Sequence, residues 1–165
     1  MCIYTYMLGA DSFPPSLAEA SAGCVCFHLR RSARTITQFY DRVLASSGLR
    51  ATQFTLLTII RRTGGLPFSS LAEVLGMDRT TLTRNVRPLE RDGLIKIERG
   101  TDRRVRVVRL TPAGERKQAE AEPLWALAHG RITSGIGPGT WKALRQDLSR
   151  TISVGLEATA EHDQS

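Results

Sequence analysis

Five arginines surround a Gly-Thr-Asp turn in the stretch ERGTDRRVRVVRLT, which runs from Glu98 to Thr111. A guanidinium group binds phosphate oxygens through paired hydrogen bonds, so the chemistry to expect here is the capture of a polyanion. The arginines also alternate with valines, and such alternation is typical of a β-strand whose polar face lies in solvent. A phosphate-binding hairpin and a solvated strand are therefore the two alternatives for this stretch.

The distribution of charge along the chain favours the first alternative. The 165 residues have a formal net charge of +7, and the segment from Arg79 to Arg109 holds ten basic and four acidic residues, which is +6. Such a concentration is typical of a face that binds nucleic acid, although an acidic protein or a membrane surface would also suit it.

No catalytic motif occurs in the sequence: a nucleophile elbow, a phosphate loop and a metalloprotease helix are all absent. We therefore expect neither an enzyme nor a cofactor. Cys24 and His28 are four residues apart, a spacing that could place two ligands on one metal ion. His129 and His162 are isolated in the sequence and supply no further ligand, so we expect no metal site.

The three cysteines, Cys2, Cys24 and Cys26, are an odd number and lack the spacing of a disulfide framework. Reduced thiols in a cytoplasm fit this usage better. Residues i and i+2 of an α-helix point about 200° apart, so we expect at least one of Cys24 and Cys26 to face the packed interior. A buried cysteine behaves as a small hydrophobic residue. The alternative is a thiol that senses oxidants.

Hydrophobic periodicity predicts the elements that position these residues. Apolar residues recur at helical spacing over residues 21–47, and a second helix is predicted in ATQFTLLTIIRRTGG, with Phe54, Leu57 and Ile60 on one stripe. The chain has about the length of one domain, and it contains no run near the roughly 18 apolar residues that cross a membrane.

Two shorter helices follow in the sequence. Ser70 with Glu73 is a capping-box signature, which predicts the start of a helix that ends at Gly76. Asp78 can cap the next helix, which is predicted to end at Gly93. Two helices joined by a tight turn that contains glycine are a helix-turn-helix candidate.

The second of these helices has two distinct faces. Leu82, Val86 and Leu89 are spaced at i, i+4 and i+7, which predicts the buried face. The opposite, exposed face is predicted to carry hydroxyls first and arginines after them. Its members, with two flanking threonines, are Thr80, Thr81, Thr83, Arg84, Arg87 and Arg91.

The opening stretch belongs to a two-stranded hairpin. LIKIER and RVRVVRL alternate as strands on either side of residues 100–103, directly after the helix-turn-helix, and this order predicts a winged helix. Thr111 and Pro112 then begin another helix, with an N-cap residue and a proline at the first position. A final helix is predicted from Thr140, with an apolar set made of Trp141, Leu144, Leu148 and Ile152.

A resemblance to a known family rests on four segments, LRATQFTLLTII, LAEVLGMDRTTLTRNVRPLERDGLI, DRRVRVVRLT and AEPLWALA. They are similar to the MarR family of bacterial transcription regulators, and the resemblance covers residues 23–152. It implies a mainly α-helical fold with a small β-hairpin wing: a winged helix-turn-helix joined to a helical dimerisation region. We accordingly expect a DNA-binding lobe over residues 49–110 and a dimerisation region formed by residues 21–48 and 111–160. Residues 1–20 lie outside the usual core of the family, and we expect them to form a flexible N-terminal arm.

The resemblance also assigns DNA contacts. Threonine and arginine on the exposed helix face suit base edges and phosphates. In the wing the resemblance implies that Arg104 enters the minor groove and that Asp102 orients an arginine through a salt bridge, while Arg103 is expected at the DNA backbone. Arg106 and Arg109 are expected merely to coat the solvated strand. The predicted DNA-binding residues are Thr80, Thr81, Thr83, Arg84, Arg87, Asp102, Arg103 and Arg104.

The function that follows is that of a cytoplasmic, homodimeric repressor. We expect it to bind a pseudo-palindromic operator in double-stranded DNA and to leave it when a small aromatic or lipophilic effector binds, with no membrane involved. The candidate effector-binding residues are His28, Arg31, Phe54 and Trp125. Two alternatives remain: a repressor of the same family that senses oxidants through Cys24 and Cys26, and a non-regulatory interaction module whose basic face binds an acidic protein.

Overall fold

The computed structural model of the protein describes residues 23–100, 102 and 104–162. The arm predicted for residues 1–20, with Cys2, and Arg103 of the wing lie outside the described residues. In chain order the elements are α1 (Val25–Leu44) with a 3-10 turn (Ala45–Ser47), α2 (Ala51–Thr63), β1 (Leu66–Pro67), α3 (Phe68–Leu75), α4 (Arg79–Arg91), β2 (Ile95–Arg99), β3 (Arg106–Leu110), α5 (Pro112–Ile136) and α6 (Pro138–His162). The predicted fold class, mainly α-helical with a small wing, is confirmed.

The predicted hairpin forms, and a third short strand joins it. β2 and β3 pair antiparallel, with Ile97 opposite Val108 and Arg99 opposite Arg106. β1 pairs with the other edge of β3, so the strand order is β1-β3-β2. The sequence pattern did not predict β1, because two residues are too few to show an alternation.

The predicted capping box of Ser70 and Glu73 is wrong. α3 begins at Phe68, so both residues lie inside the helix, and its N-cap is Pro67, which makes no side-chain capping hydrogen bond. The reason is tertiary, because Pro67 is paired opposite Val107 of β3 and Phe68 is the first residue after the strand. Phe68 is therefore where the chain can turn into a helix. Val74 of this helix is 62% exposed.

Glycines end two of the helices that support the wing, as predicted. Gly64 follows α2 with a φ of 67°, and Gly76 follows α3 with a φ of 59°. This left-handed conformation is strained for residues with a side chain and is open to glycine. The chain thus reverses tightly on either side of α3, which brings α2, α3 and α4 into one lobe.

The core of this lobe is a cluster of aliphatic side chains. The predicted stripes of α2 and α4 are both buried: Phe54, Leu57 and Ile60 on one side, and Leu82, Val86 and Leu89 on the other. Leu71 of α3 and Val108 of β3 complete the contact among helices and sheet. Burial of one such leucine stabilises a fold by roughly 1.5–3 kcal/mol, so this cluster holds α4 and the wing in a fixed relation.

α5 is attached to the lobe at its first residue. The hydroxyl of Thr111, the N-cap, donates to the Gly93 carbonyl at 2.6 Å and accepts from the Gly114 amide at 3.1 Å. A Cβ atom on Gly114 would lie 1.9 Å from the Leu94 carbonyl oxygen, so only glycine fits this approach. The start of α5 is therefore joined directly to the segment between α4 and β2.

A second attachment lies one turn further along α5. Gln118 is 1% exposed, and its amide oxygen accepts from the Arg61 guanidinium of α2. Its amide nitrogen donates to Glu122 and to the Thr58 hydroxyl, the latter at 3.3 Å. Because every polar atom of the buried amide is paired, the contact between α2 and α5 is directional as well as apolar.

α1 and α6 carry apolar side chains that the single chain leaves exposed. In α1 these include Val25 and Ile36, at 64% and 36% exposure. α6 has no buried residue along its whole length, and Ile152 and Leu156 are 64% and 68% exposed. This helix begins at Pro138, two residues before the predicted start, because Gly137 already ends α5.

The described residues contain no group of three or more histidine, cysteine, aspartate or glutamate residues that could hold a metal ion. No single helix among the described residues is long and apolar enough to span a membrane. One pair of helical segments bent by 74°, Val25–Ser47 with Ala51–Thr63, has a sufficient combined length and apolar composition, and no other feature of the described part of the chain supports a span.

Candidate nucleic-acid interface

The interface is built around the start of α4, which Asp78 caps as predicted. One carboxylate oxygen of Asp78 accepts from the backbone amides of Thr80 and Thr81 at 2.8 and 2.9 Å. The other accepts from the Thr81 hydroxyl at 2.6 Å. The hydrogen bond from the Thr81 side chain, followed by those from the backbone, holds the pKa of Asp78 below its usual value. The cap is therefore charged, and the first turn is fixed.

The exposed face of α4 presents its predicted residues in two different states. Thr80, Arg84 and Arg87 are exposed, and the Thr80 hydroxyl has no hydrogen bond to a described residue. The Thr81 hydroxyl donates to Asp78, and the Thr83 hydroxyl donates to the Arg79 carbonyl at 2.7 Å. With their protons already used, Thr81 and Thr83 offer a methyl group and an acceptor, which suits a base edge better than a phosphate.

The wing tip is shaped by its own backbone. The Gly100 amide donates to the Val105 carbonyl at 2.8 Å, and the Val105 amide donates to the Asp102 carbonyl at 2.9 Å. The Asp102 carboxylate accepts from the Arg104 amide at 2.9 Å, so this side chain stabilises the turn. The exposed Arg104 side chain extends from that turn. The salt bridge expected between Asp102 and an arginine stays a prediction, and Arg103 lies outside the described residues.

A cleft of about 600 Å³ separates α4 from the wing. Its apolar floor comes from α3, α4 and the sheet and includes Phe68, Val86 and Ile97. Four arginines stand around this floor with one glutamate: Arg79, Arg87, Arg104, Arg106 and Glu90. The sequence pattern does not link Arg79 or Arg106 to this site, because their convergence depends on how the hairpin folds back toward α4.

Arg109, in contrast, is part of the scaffold. Its guanidinium donates to the Gly64 carbonyl at the end of α2, and its Nε lies 3.6 Å from a carboxylate oxygen of Glu98. The expectation that Arg109 merely coats the strand is therefore incomplete, because the side chain ties β3 to α2.

Two of the four candidate effector residues meet in the structure. The rings of Phe54 and Trp125 are stacked, with centroids 5.9 Å apart. Trp125 in turn stacks on His129, at 4.7 Å and an interplanar angle of 8°. His129, read from the sequence as an isolated surface residue, is thus part of an aromatic row. Its position four residues after Trp125 was the signal that could have shown it, since residues i and i+4 of a helix face the same way.

The aromatic row extends to both helices expected in the dimerisation region. The rings of Trp141 in α6 and His129 are nearly perpendicular, with their centroids 6.1 Å apart. The Tyr40 hydroxyl of α1 lies 3.3 Å from His129 Nδ1. Burial raises the pKa of Tyr40, which keeps its hydroxyl protonated. Five side chains therefore join α1, α2, α5 and α6. We call them the aromatic row: Phe54, Trp125, His129, Trp141 and Tyr40.

The other two candidate effector residues lie on α1. His28 is exposed, and its described ring contact is with Phe27, one residue earlier, at 5.4 Å. Arg31 is exposed one turn further along. Their part in effector binding stays a prediction.

The expectation that one sulfur of the Cys-x-Cys pair faces the interior is wrong. Cys24 and Cys26 are both free and exposed. Cys24 is the N-cap of α1, with extended backbone angles, and its sulfur accepts from the Phe27 amide at 3.4 Å. The helical angle of 200° does not apply to a residue that precedes the helix, and the first turns of α1 project beyond the core.

Comparison with known proteins agrees with this architecture. The sequence profile of the MarR family matches residues 49–105. The M. tuberculosis transcriptional regulator MosR, solved in complex with DNA, is 36% identical; the alignment covers 82% of this chain and 98% of MosR, with a TM-score of 0.75. The transcriptional repressor CouR of Rhodococcus jostii RHA1, bound to a 23-mer DNA duplex, is 26% identical over 79% of this chain and 94% of CouR, with a TM-score of 0.71.

A curated relative gives the same family at lower coverage. A putative transcriptional regulatory protein for the hcr operon of Thauera aromatica is 33% identical over 103 residues, which are 61% of this chain and 62% of that protein. This match, the profile match and the near-complete alignment to MosR favour a transcription regulator over the alternative of a non-regulatory module that binds an acidic protein. The chain belongs to the MarR family of DNA-binding transcription regulators.

Proposed function

We propose that the protein is a homodimeric repressor that binds a pseudo-palindromic operator and leaves it when a small aromatic or lipophilic molecule binds, with no catalytic role. The observation that carries the ligand response is the aromatic row. It links both helices of the expected dimerisation region, α1 and α6, with α2 of the lobe through α5. A molecule that moves these rings therefore acts on both regions at once.

The dimer is supported by the apolar surface of α1 and α6. Leu144, Ile152 and Leu156 of α6 are exposed, and their spacing of four and eight residues places them on one face that the single chain does not cover. An exposed apolar face of this kind marks a protein–protein contact. A second copy is the partner that a two-fold operator requires, since half-sites are about one helical turn apart.

The class of ligand is supported by the chemistry of the row. Flat rings stack on flat rings, and His129 with Tyr40 adds hydrogen-bonding atoms to an otherwise apolar surface. CouR, which shares this fold, has been solved with p-coumaroyl-CoA, whose acyl group is a phenol. We therefore propose aromatic acids, phenols and their thioesters as the first ligands to test.

The test uses the two tryptophans of the chain, Trp125 and Trp141, because both belong to the aromatic row. A ligand that binds there is expected to change the intrinsic fluorescence and to release the protein from the DNA upstream of its own gene. His129→Ala is expected to weaken both responses, while Arg116→Ala, an exposed change elsewhere on α5, leaves both unchanged. Release from DNA without any change in fluorescence would contradict the proposed location.

A second candidate function is oxidation sensing, and the exposure of both cysteines favours it. A thiol must be accessible to react with an oxidant, and Cys24 and Cys26 are both accessible in the single chain. The test is release of operator DNA by hydrogen peroxide, an organic hydroperoxide and hypochlorite, with reversal by dithiothreitol. If the wild type responds and the double variant Cys24→Ser, Cys26→Ser does not, oxidation is the switch. An equal response of both proteins would reject this candidate.

A further inference from the structure

The cleft between α4 and the wing concentrates unpaired positive charge. Among the described residues none of its four arginines, Arg79, Arg87, Arg104 and Arg106, has a carboxylate ion-pair partner. Outside the cleft, Arg91 pairs with Asp92 at 3.0 Å and Lys96 pairs with Glu98 at 2.6 Å. Arg84 and Arg99, also outside it, have no described carboxylate partner.

The position of the cleft identifies the part of a duplex that would face it. In a winged helix the recognition helix enters a major groove, and a basic wing tip enters the neighbouring minor groove. The wall between two neighbouring grooves of a duplex is a sugar–phosphate backbone. A cleft that separates α4 from the wing therefore faces that backbone when both elements are seated.

The walls of the cleft strengthen the attraction for phosphate. Val86 is 1% exposed and Ile97 is half-buried, so the floor beneath the guanidinium groups is apolar. Charges of one sign in a cleft with low-dielectric walls focus the electric field. With Glu90 counted, the four arginines leave the lining at a net charge of +3.

We infer that this cleft seats the DNA backbone strand between the two grooves, and that Arg79 and Arg106 are phosphate-contacting residues of the regulator. Arg79 reaches the cleft from the first residue of α4, and Arg106 from the first residue of β3. The inference rests on duplex binding by this family member and adds the residues that hold the strand. It removes Arg106 from the solvated-strand alternative.

The experiment measures binding to a labelled duplex of random sequence by fluorescence anisotropy, because phosphate contacts do not depend on sequence. The logarithm of the association constant is followed between about 50 and 200 mM salt, where each lost phosphate contact lowers the slope by about 0.9. Arg79→Gln and Arg106→Gln are each expected to flatten the slope by that amount per protomer. Arg106→Lys retains the charge and is expected to keep the wild-type slope.

The control is Arg116→Gln, which removes the same charge from an exposed position of α5 outside the cleft. It is expected to keep the wild-type slope. Wild-type slopes for Arg79→Gln and Arg106→Gln, or an equal flattening by Arg116→Gln, would overturn the inference while leaving duplex binding intact. A wild-type protein that shows no salt-dependent binding to the duplex would instead overturn DNA binding itself.

Discussion

Arg84 lies on the exposed face of α4, one turn after the capped start, and no described carboxylate neutralises it. An arginine in this position can bind the O6 and N7 atoms of guanine together. We expect Arg84→Ala to lose roughly 1–3 kcal/mol on the operator and to relax discrimination against scrambled DNA. Anisotropy titrations on both duplexes measure this, with Arg116→Ala as the control. Unchanged specific binding by a folded variant would place base recognition elsewhere.

Asp78 makes the start of α4 sensitive to acid. Its pKa is lowered in the folded state, mainly by the hydrogen bond from the Thr81 hydroxyl. The charged cap therefore stabilises the fold at every pH above the usual aspartate pKa of 3.8. This stabilisation is lost as the pH falls through the lower folded-state pKa. We expect Asp78→Asn to melt below the wild type at neutral pH, and the gap to narrow in acid below pH 3.8. Circular dichroism melts of both proteins check this; a gap independent of pH would mean that the charge contributes nothing.

Prediction of individual residues from sequence succeeded where the contact is local. The Asp78 cap depends on neighbours within three residues, and the buried face of α4 depends on one helical period. His129 was missed although its spacing from Trp125 within α5 carried part of the signal; its contact with Trp141 comes from another helix. Prediction failed for the two cysteines, because their exposure depends on how far α1 projects from the core, and spacing within one helix does not contain that information.

The wing is the element whose binding role and stabilising role can be separated. Arg104 extends from the tip, where its one hydrogen bond to a described residue is from its backbone amide to the Asp102 carboxylate. We expect Arg104→Ala to weaken DNA binding while it moves the thermal midpoint by no more than about one or two degrees, as is usual for exposed positions. A melt and a titration on the same sample test this. Unchanged affinity for DNA together with a large loss of thermal stability would show that Arg104 stabilises the hairpin and does not bind DNA.

The positions of the helices and of the hairpin were predicted well, except where pairing with a distant strand fixes the start of a helix. Hydrophobic periodicity located the helices and the hairpin, because each of these patterns spans several turns or alternations. The start of α3 was misplaced because Pro67 is held by β3, about forty residues further along the chain, through the pairing with Val107. A local capping signature therefore does not set the start of a helix whose preceding residue is held in a paired strand.

At the scale of the whole molecule, α6 is the helix that we propose a second copy covers. Deleting residues after Pro138 removes Trp141, Leu144, Leu148 and Ile152, none of which is fully buried in the single chain. We expect the truncated protein to sediment as a monomer. Operator binding is expected to collapse with the dimer, since two half-sites must be held at once. A truncated protein that still sediments as a dimer would show that another surface joins the subunits.

α5 has a mechanical consequence for operator choice. It runs 25 residues from Pro112, beside the wing, to Ile136 at the end that meets α6, with Pro123 inside it. At about 1.5 Å per residue this helix is roughly 37 Å long. A tilt of only about 5° at one end shifts the other by some 3 Å, close to the base-pair step of about 3.4 Å. If, as proposed, a ligand at the aromatic row tilts α5 within a homodimer, a change too small to disturb any contact near the row would still move the two wings out of register with the duplex.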